Sequence, residues 1–172
     1  MEKSLKLFLL FLFFTELLFS NSVCVVEKDL LVAYAKNERH SNRYVGYPYM
    51  ISFNEQKESK ILREEKILDG YGKWLDSRTF DCKNEATCKA ITTALVKNGI
   101  KNMDLGHMQI CYKWHPLEVS EYFDIQKSEQ RACRYLVSLT KQYGWSWETI
   151  GKYHSFTKDK NEAYYKKIQK NL

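Results

Sequence analysis

The chain has 172 residues, 44% of them hydrophobic, and a formal net charge of +6 at pH 7. This length allows one domain with a buried core and is too short for us to expect two. The positive charge favours a polyanionic partner and by itself says nothing about the fold.

The N-terminus has the three-part pattern of a secretory signal peptide. Lys3 and Lys6 precede an apolar run over residues 7–14, and small residues alternate over residues 20–22. A basic start, an apolar run and a small-residue end are typical of an export signal. We therefore predict a signal peptide over residues 1–22 and export to the periplasm or cell envelope.

Two other interpretations of this segment have less support. A spanning helix needs ~20 apolar residues, whereas the uninterrupted run is shorter and Glu16 interrupts its extension. A lipoprotein needs a small residue before its cysteine, but Val23 precedes Cys24. We expect a mature domain of residues 23–172 without a stable membrane span.

Export changes the meaning of the five cysteines, because disulfides persist in oxidising compartments. Cys82 and Cys88 bracket a predicted helix start, so a bridge between them would attach a loop to that helix. Cys24, Cys111 and Cys133 can form one more bridge and leave one thiol, and the sequence does not determine the pairing. There is no C-x-x-C and no close histidine pair, so we expect neither zinc nor another cofactor.

The first half of the mature chain predicts a helix, a strand and one segment of uncertain structure. Glu27 to Glu38 has an apolar stripe at helical spacing. Residues 47–53 alternate as in a strand, and Pro48 suggests that this strand is at a sheet edge. Residues 57–80 are charged and contain two glycines, which fits an extended hairpin or a short helix with a loop.

The second half predicts mostly helices, with end signals from capping residues and glycines. The predicted elements, in chain order, are a helix over Asn84–Lys97 stopped by Gly99, a strand over Asp104–Cys111, a short helix through Phe123, a long helix from an N-cap at Ser128 through Tyr143, a helix over Trp147–His154 capped by Ser146, a turn over Thr157–Asn161 and a final helix.

One strand motif and several later blocks carry a family resemblance. Residues 104–110 read D-L-G-H-M-Q-I, which resembles the cleft-floor strand of soluble lytic transglycosylase (SLT) domains, usually G-L-M-Q-I-N, and of C-type lysozymes, usually D-Y-G-I-L-Q-I-N. His107 and Cys111 stand where these families have Leu and Asn. A short motif alone is a weak signal.

The order of further blocks strengthens this resemblance. Residues 123–144 resemble the family's F-D-P…R-A-G-A-R-Y-L…Y-G helix, residues 150–155 stand at its A-x-Y-N block, and residues 162–168 stand at its closing Y-V-x-K-V helix. The resemblance implies a lysozyme-like fold, mainly α (α+β), with a small β element lining the cleft. Residues 57–80 would be an insertion in that fold.

Glu38 is the catalytic residue that the resemblance implies, because the family's catalytic Glu ends the first helix and precedes a polar loop with a glycine, here Gly46. Without the resemblance, Glu38 would be interpreted as a solvated charge between Lys36 and Arg39. An acid of this kind needs an apolar surround that raises its pKa. Arg39 replaces the family's Ser, and a cation beside the acid favours its charged form.

Five residues are candidate substrate-binding positions. Gln109 would present its amide on the cleft floor, and Tyr153 matches a family tyrosine whose hydroxyl reaches the catalytic carboxylate. Gly106 would let a sugar ring or another strand pass close to the backbone. Tyr47 would stack on a sugar. Asp104 aligns with the second carboxylate of C-type lysozymes, although an Asp at a strand start commonly makes turn hydrogen bonds instead.

We therefore expect an exported lytic transglycosylase, a lyase that cleaves the MurNAc-GlcNAc β-1,4 bond of peptidoglycan and forms a 1,6-anhydro product. The alternatives are a lysozyme-type muramidase using Glu38 and Asp104, and a non-catalytic protein of cell-wall binding or assembly. The expected partners are peptidoglycan strands rather than nucleic acid, which an exported chain rarely meets. We also include an envelope-spanning secretion or assembly apparatus among the expected partners, solely because the chain is small.

Overall fold

The computed structural model describes residues 25–172, which form helices and one five-stranded antiparallel sheet. This confirms a mixed, α+β chain. The helices are α1 (Lys28–Glu38), α2 (Gln56–Glu64), α3 (Glu85–Lys97), α4 (Val119–Phe123), α5 (Ile125–Tyr143), α6 (Trp147–Gly151) and α7 (Lys158–Asn171). The strands are β1 (Met50–Phe53), β2 (Lys73–Trp74), β3 (Thr79–Asp81), β4 (Met103–Leu105) and β5 (Ile110–Cys111).

Strand β1 is the centre of the sheet, whose strand order is β2-β3-β1-β4-β5. Ile51 pairs with Phe80 of β3 on one side and with Leu105 of β4 on the other. The prediction of an edge strand from Pro48 was therefore wrong. The strand begins at Met50, so the missing N–H of Pro48 lies before the ladder and interrupts no strand pairing.

The predicted strand over residues 104–111 is instead a tight hairpin. Strand β4 ends at Leu105, and β5 begins at Ile110. Gly106 has φ +73° and Gln109 has φ +45°, and these left-handed conformations reverse the chain. A side chain at Gly106 would also collide with the carbonyl oxygen of Tyr122 at the end of α4. The periodicity of the segment does not reveal this reversal.

Residues 57–80 contain both features that their composition left open, a helix and a hairpin. Most of α2 comes first, and β2 and β3 then pair antiparallel. Cys82 follows β3 and forms the predicted disulfide with Cys88 of α3, with 5.1 Å between the Cα atoms. Cys133 is disulfide-bonded as well, whereas Cys111 is a free thiol. The predicted signal peptide and Cys24 lie outside the described residues.

Helix ends follow the predicted capping signals in part. Ser146 accepts a hydrogen bond from the backbone of Thr149, as predicted for α6, although that helix ends at Gly151 rather than His154. The N-cap prediction for Ser128 was wrong, because Asp124 caps α5 and Ser128 lies buried inside the helix. The final helix begins at Lys158, so most of the predicted turn at 157–161 is helical.

Helix packing brings the end of α1 to the sheet. Helix α1 packs on α7, α7 on α6, and α6 on α5. The fully buried Tyr34 of α1 donates a hydrogen bond to the carbonyl oxygen of Ile150 in α6, at 2.8 Å. In the described part of the chain, no helix has both the length and the apolar character to cross a bilayer.

Candidate active site

A cleft of about 610 Å³ lies between the sheet on one side and helix α5 with the segment after α6 on the other. Glu38 and Asp104 are the carboxylates of its lining. The sheet side contributes Ser52, Arg78, Gln109, Ile110, Cys111, Trp114 and His115, and the helix side contributes Arg131, Ala132, Tyr135 and residues 152–156.

Glu38 lies where α1 ends, since the next residue is extended. Three tyrosine rings, Tyr34, Tyr153 and Tyr164, pack around it, with 4.8 Å and 5.9 Å from the centroid of Tyr34 to those of Tyr153 and Tyr164. The hydroxyl of Tyr164 donates a hydrogen bond to Oε1 of Glu38. Burial and then the charge of Glu38 raise the pKa of all three tyrosines. The carboxyl group is thus enclosed by aromatic rings but remains partly open to the cleft.

This surround gives Glu38 the protonation behaviour of a general acid. Burial raises its pKa to about 7, with a further upward contribution from Asp104. The hydrogen bond from Tyr164 and the charge of Lys167 act in the opposite direction. Arg39 is exposed, and the cation that acts on the acid is Lys167. Near neutral pH, both the protonated and the ionised form of Glu38 are therefore populated.

Asp104 lies in strand β4 and faces the same cleft. It pairs with Cys111 across the β4–β5 ladder, and its Oδ1 accepts a hydrogen bond from Nδ2 of Asn54 at 2.8 Å. Burial raises the pKa of Asp104, while hydrogen bonds from Asn54 and Cys111 and the charge of Arg78 lower it. Asp104 is thus a cleft carboxylate within the sheet, rather than a turn-forming residue at the surface.

Gln109 lines the cleft, but in a turn rather than on a strand. Its side-chain Nε2 donates to the carbonyl oxygen of Gly106 at 2.6 Å, and its positive φ is uncommon for a residue with a side chain. Strained backbone of this kind often occurs at functional sites. Gly106 itself is buried against the backbone of Tyr122 and does not line the cleft. Its close neighbour is therefore helix α4, neither a sugar ring nor a strand.

The tyrosine that hydrogen-bonds the acid is not the one expected. Tyr153 lines the cleft, but its hydroxyl donates to the carbonyl oxygen of Met108 at 2.9 Å, which attaches α6's following turn to the β4–β5 hairpin. Tyr164 of α7 makes the hydrogen bond to Glu38 instead. The sequence shows Tyr164 as an apolar-side residue of the last helix, and no local signal marks it as a site residue.

Tyr47 does not line the cleft, which contradicts the expectation that it stacks on a sugar there. Its hydroxyl donates to Oδ1 of Asp81 at 2.7 Å, and the guanidinium of Arg43 lies 5.1 Å from its ring centroid. Arg43 also forms an ion pair with Asp81. These three residues hold the loop before β1 to strand β3.

The cleft has two exposed aromatic side chains that could contact a ligand. Trp114 is 69% exposed and follows β5, and Phe156 is 59% exposed and follows α6. The position of Trp114, four residues after the strand motif ends at Ile110, is a sequence signal for a place near the cleft. Phe156 has no such signal, because its place depends on how α6 packs against α5 and α7.

Compared with known proteins, the chain matches no family model, no curated protein and no solved structure. Among residues 25–172, no three His, Cys, Asp or Glu side chains are grouped so that they could hold a metal ion. The geometry of the cleft is therefore the basis for inferring a function.

Proposed function

We propose that this protein is an exported peptidoglycan lytic transglycosylase with a lysozyme-like arrangement of helices around a small sheet, and that Glu38 is its general acid and base. The observation that carries the proposal is the place of Glu38, at the end of α1 in the lining of an open cleft with Tyr164 hydrogen-bonded to its carboxyl group; burial there raises its pKa to about 7. A group with this pKa can give and take a proton near neutral pH.

The reaction needs one proton-transferring carboxyl group. Protonated Glu38 donates its proton to the glycosidic oxygen as the bond from that oxygen to C1 of the N-acetylmuramoyl residue breaks. The resulting carboxylate then takes the proton of the C6 hydroxyl, whose oxygen bonds to C1 and closes the 1,6-anhydro ring. Glu38 ends protonated, as it began, and Tyr164 supports its ionised form through the hydrogen bond to Oε1.

The second candidate is a muramidase in which Asp104 is the nucleophile. It is supported by the position of Asp104 in the same cleft and by its electrostatic effect on Glu38. This mechanism needs a second, ionised carboxyl group beside Glu38, and the order of the sequence blocks resembles that of SLT domains. We therefore favour the mechanism that requires Glu38 alone.

The third candidate, a wall-binding protein without activity, was suggested by Arg39, His107 and Cys111 at positions where the family has other residues. Arg39 is exposed, and His107 is buried outside the cleft lining. Cys111 is the member of this group that lines the cleft. Two of the three differences thus lie outside the cleft lining, which favours an active enzyme.

Mass spectrometry of the products from isolated peptidoglycan tests the proposal. We expect muropeptides with 1,6-anhydromuramoyl ends from the purified mature chain. Products with free reducing ends, together with an Asp104→Asn variant as inactive as Glu38→Gln, would identify a muramidase. Binding to peptidoglycan without any cleavage would identify a wall-binding protein.

A further inference from the structure

Arg131 is a cation of the cleft wall without a carboxylate partner among the described residues. It lies on α5, lines the cleft and donates from Nη2 to Nδ1 of His115 at 3.2 Å. Its Nε is buried and makes no hydrogen bond in the described structure. A guanidinium has five N–H donors, so most of the donors of Arg131 have no acceptor among residues 25–172.

The other cations of the cleft lining have more partners than Arg131. Lys152 forms a salt bridge with Glu148 at 2.9 Å. Arg78 has no salt bridge among residues 25–172, but its Nε and Nη2 both donate to neutral oxygen acceptors. Arg131 has neither a carboxylate partner among those residues nor an acceptor for its buried Nε. Its positive charge on the helix side of the cleft is therefore available to a ligand.

His115 orients Arg131 without neutralising it. The His115 ring lies 4.3 Å from the ring of Tyr135, centroid to centroid. Burial, followed by the charge of Arg131, lowers the pKa of His115 and keeps the imidazole neutral. Arginine can only donate, so Nδ1 of His115 must be the acceptor. The guanidinium is consequently held in place with its full charge.

We propose that Arg131, oriented by His115, binds a carboxylate carried by the glycan, so that the cleft selects acidic strands over neutral β-1,4-linked glycan. A guanidinium binds a carboxylate through two parallel hydrogen bonds, and these bonds are stronger in a partly enclosed site than in water. The carboxylate can belong to a lactyl substituent or to a peptide stem attached to it. The identity of the ligand as a glycan rests on the proposed function.

Binding to a Glu38→Gln protein tests this inference without consuming the ligand. Three tetrasaccharides serve as probes: a peptidoglycan fragment with peptide stems, the same fragment without peptides but with its lactyl carboxylates, and chitotetraose, which is neutral. Arg131→Gln should lower the affinity for at least one acidic probe by ~10-fold or more, which is typical of a lost charge-assisted hydrogen bond. Arg131→Gln should change the affinity for chitotetraose by less than ~2-fold, because this glycan has no carboxylate for the guanidinium to bind.

Arg134→Gln is the matched control, because Arg134 lies on the same helix, is exposed and does not line the cleft. It should leave the binding of all three probes unchanged. Arg131→Lys should retain much of the preference for acidic probes, since it keeps the charge. If Arg131→Gln does not fold, the salt dependence of the Glu38→Gln protein decides, because a carboxylate contact should weaken as salt rises while chitotetraose binding should not.

Equal binding of acidic and neutral probes, equal losses on all three with Arg131→Gln, or no binding of any probe would overturn the inference. Wall degradation by the parent chain is scored separately. If the parent chain degrades the wall but Arg131→Gln binds the acidic probes as well as the parent does, only this inference is rejected. Carboxylate-dependent binding by a chain that cleaves nothing would instead reject the catalytic proposal and leave the binding site in place.

Discussion

The helix side and the sheet side of the cleft each present one carboxyl group, and their surroundings differ. Glu38 is enclosed by tyrosine rings and accepts one hydrogen bond, from Tyr164. Asp104 lies in a ladder and accepts hydrogen bonds from Asn54 and Cys111. Burial raises both pKa values, but Asp104 has more hydrogen-bond support for its charge. Under the proposed mechanism, the environment of each carboxyl group, rather than its residue type, assigns proton transfer to Glu38.

Removing each carboxyl group in turn should give the largest difference between the two sides. Glu38→Gln keeps the shape but has no proton to transfer, so we expect a loss of ~100-fold or more in the rate of wall degradation, as general acid–base catalysis contributes. Asp104→Asn should cost less than ~10-fold if one carboxyl suffices. Glu27→Gln, at an exposed position, is the control. Equal losses for Glu38 and Asp104 would remove the distinction between the two sides.

An exposed tryptophan of the cleft can be compared with an exposed tryptophan outside it. Trp114→Ala should weaken glycan binding by ~5-fold to 10-fold, since an aromatic face contributes roughly 1 kcal/mol beyond the area it buries. Trp145 is a matched control, because it is 65% exposed against 69% for Trp114 but does not line the cleft. Calorimetry with chitotetraose on the Glu38→Gln protein measures both. Similar losses for the two tryptophans would show that Trp114 has no specific role.

The pH dependence of kcat/KM tests how Tyr164 and Asp104 change the pKa of Glu38. A general acid must be protonated, so the rate should fall as pH rises above the pKa of Glu38, which is about 7. The hydrogen bond from Tyr164 lowers that pKa, so Tyr164→Phe should move the fall to higher pH. Asp104→Asn should move it to lower pH, because the charge of Asp104 raises the pKa. Tyr165→Phe, one residue along α7, should not move it, and a shift of equal size there would contradict the assignment.

His107, in the turn between β4 and β5, allows a test of stability rather than catalysis. It is 2% exposed, and within the described residues neither ring nitrogen makes a hydrogen bond, although Nε2 lies 3.5 Å from Oε1 of Glu129. His107→Leu removes these buried polar atoms, so we expect a gain of ~1 kcal/mol in the free energy of unfolding at pH 7. Chemical denaturation measures it. His40→Leu, which breaks a contact with Asp76, should bring no such gain.

The same variant should change how stability depends on pH. Burial lowers the pKa of His107 in the folded chain below its ordinary value of 6.5. The unfolded chain therefore binds a proton first as pH falls through about 6.5, and the folded chain loses stability below that pH. His107→Leu should remove this part of the loss between pH 7 and 5. An unchanged slope, with no gain at pH 7, would contradict the account.

Features that depend on neighbouring residues were predictable from the sequence. The end of α1 at Glu38, the cap of α6 at Ser146 and the bridge between Cys82 and Cys88 were each predicted from signals a few residues long. Amphipathic spacing, capping side chains and short loops act locally, so the same physics operates in the sequence and in the fold. Gln109 and Asp104 line the cleft as well, but that expectation came from the family resemblance of the motif and not from local physics.

Contacts between distant parts of the chain could not be predicted in this way. The hydrogen bond from Tyr164 to Glu38 joins residues 126 positions apart, and it forms because α7 packs on α1. Tyr153 and Tyr47 were expected to contact the acid and the sugar. In the fold, their hydroxyls instead donate hydrogen bonds to Met108 and Asp81. Local sequence specifies which side chains are present. The burial that raises the pKa of Glu38 to about 7 arises only when separate helices close around it.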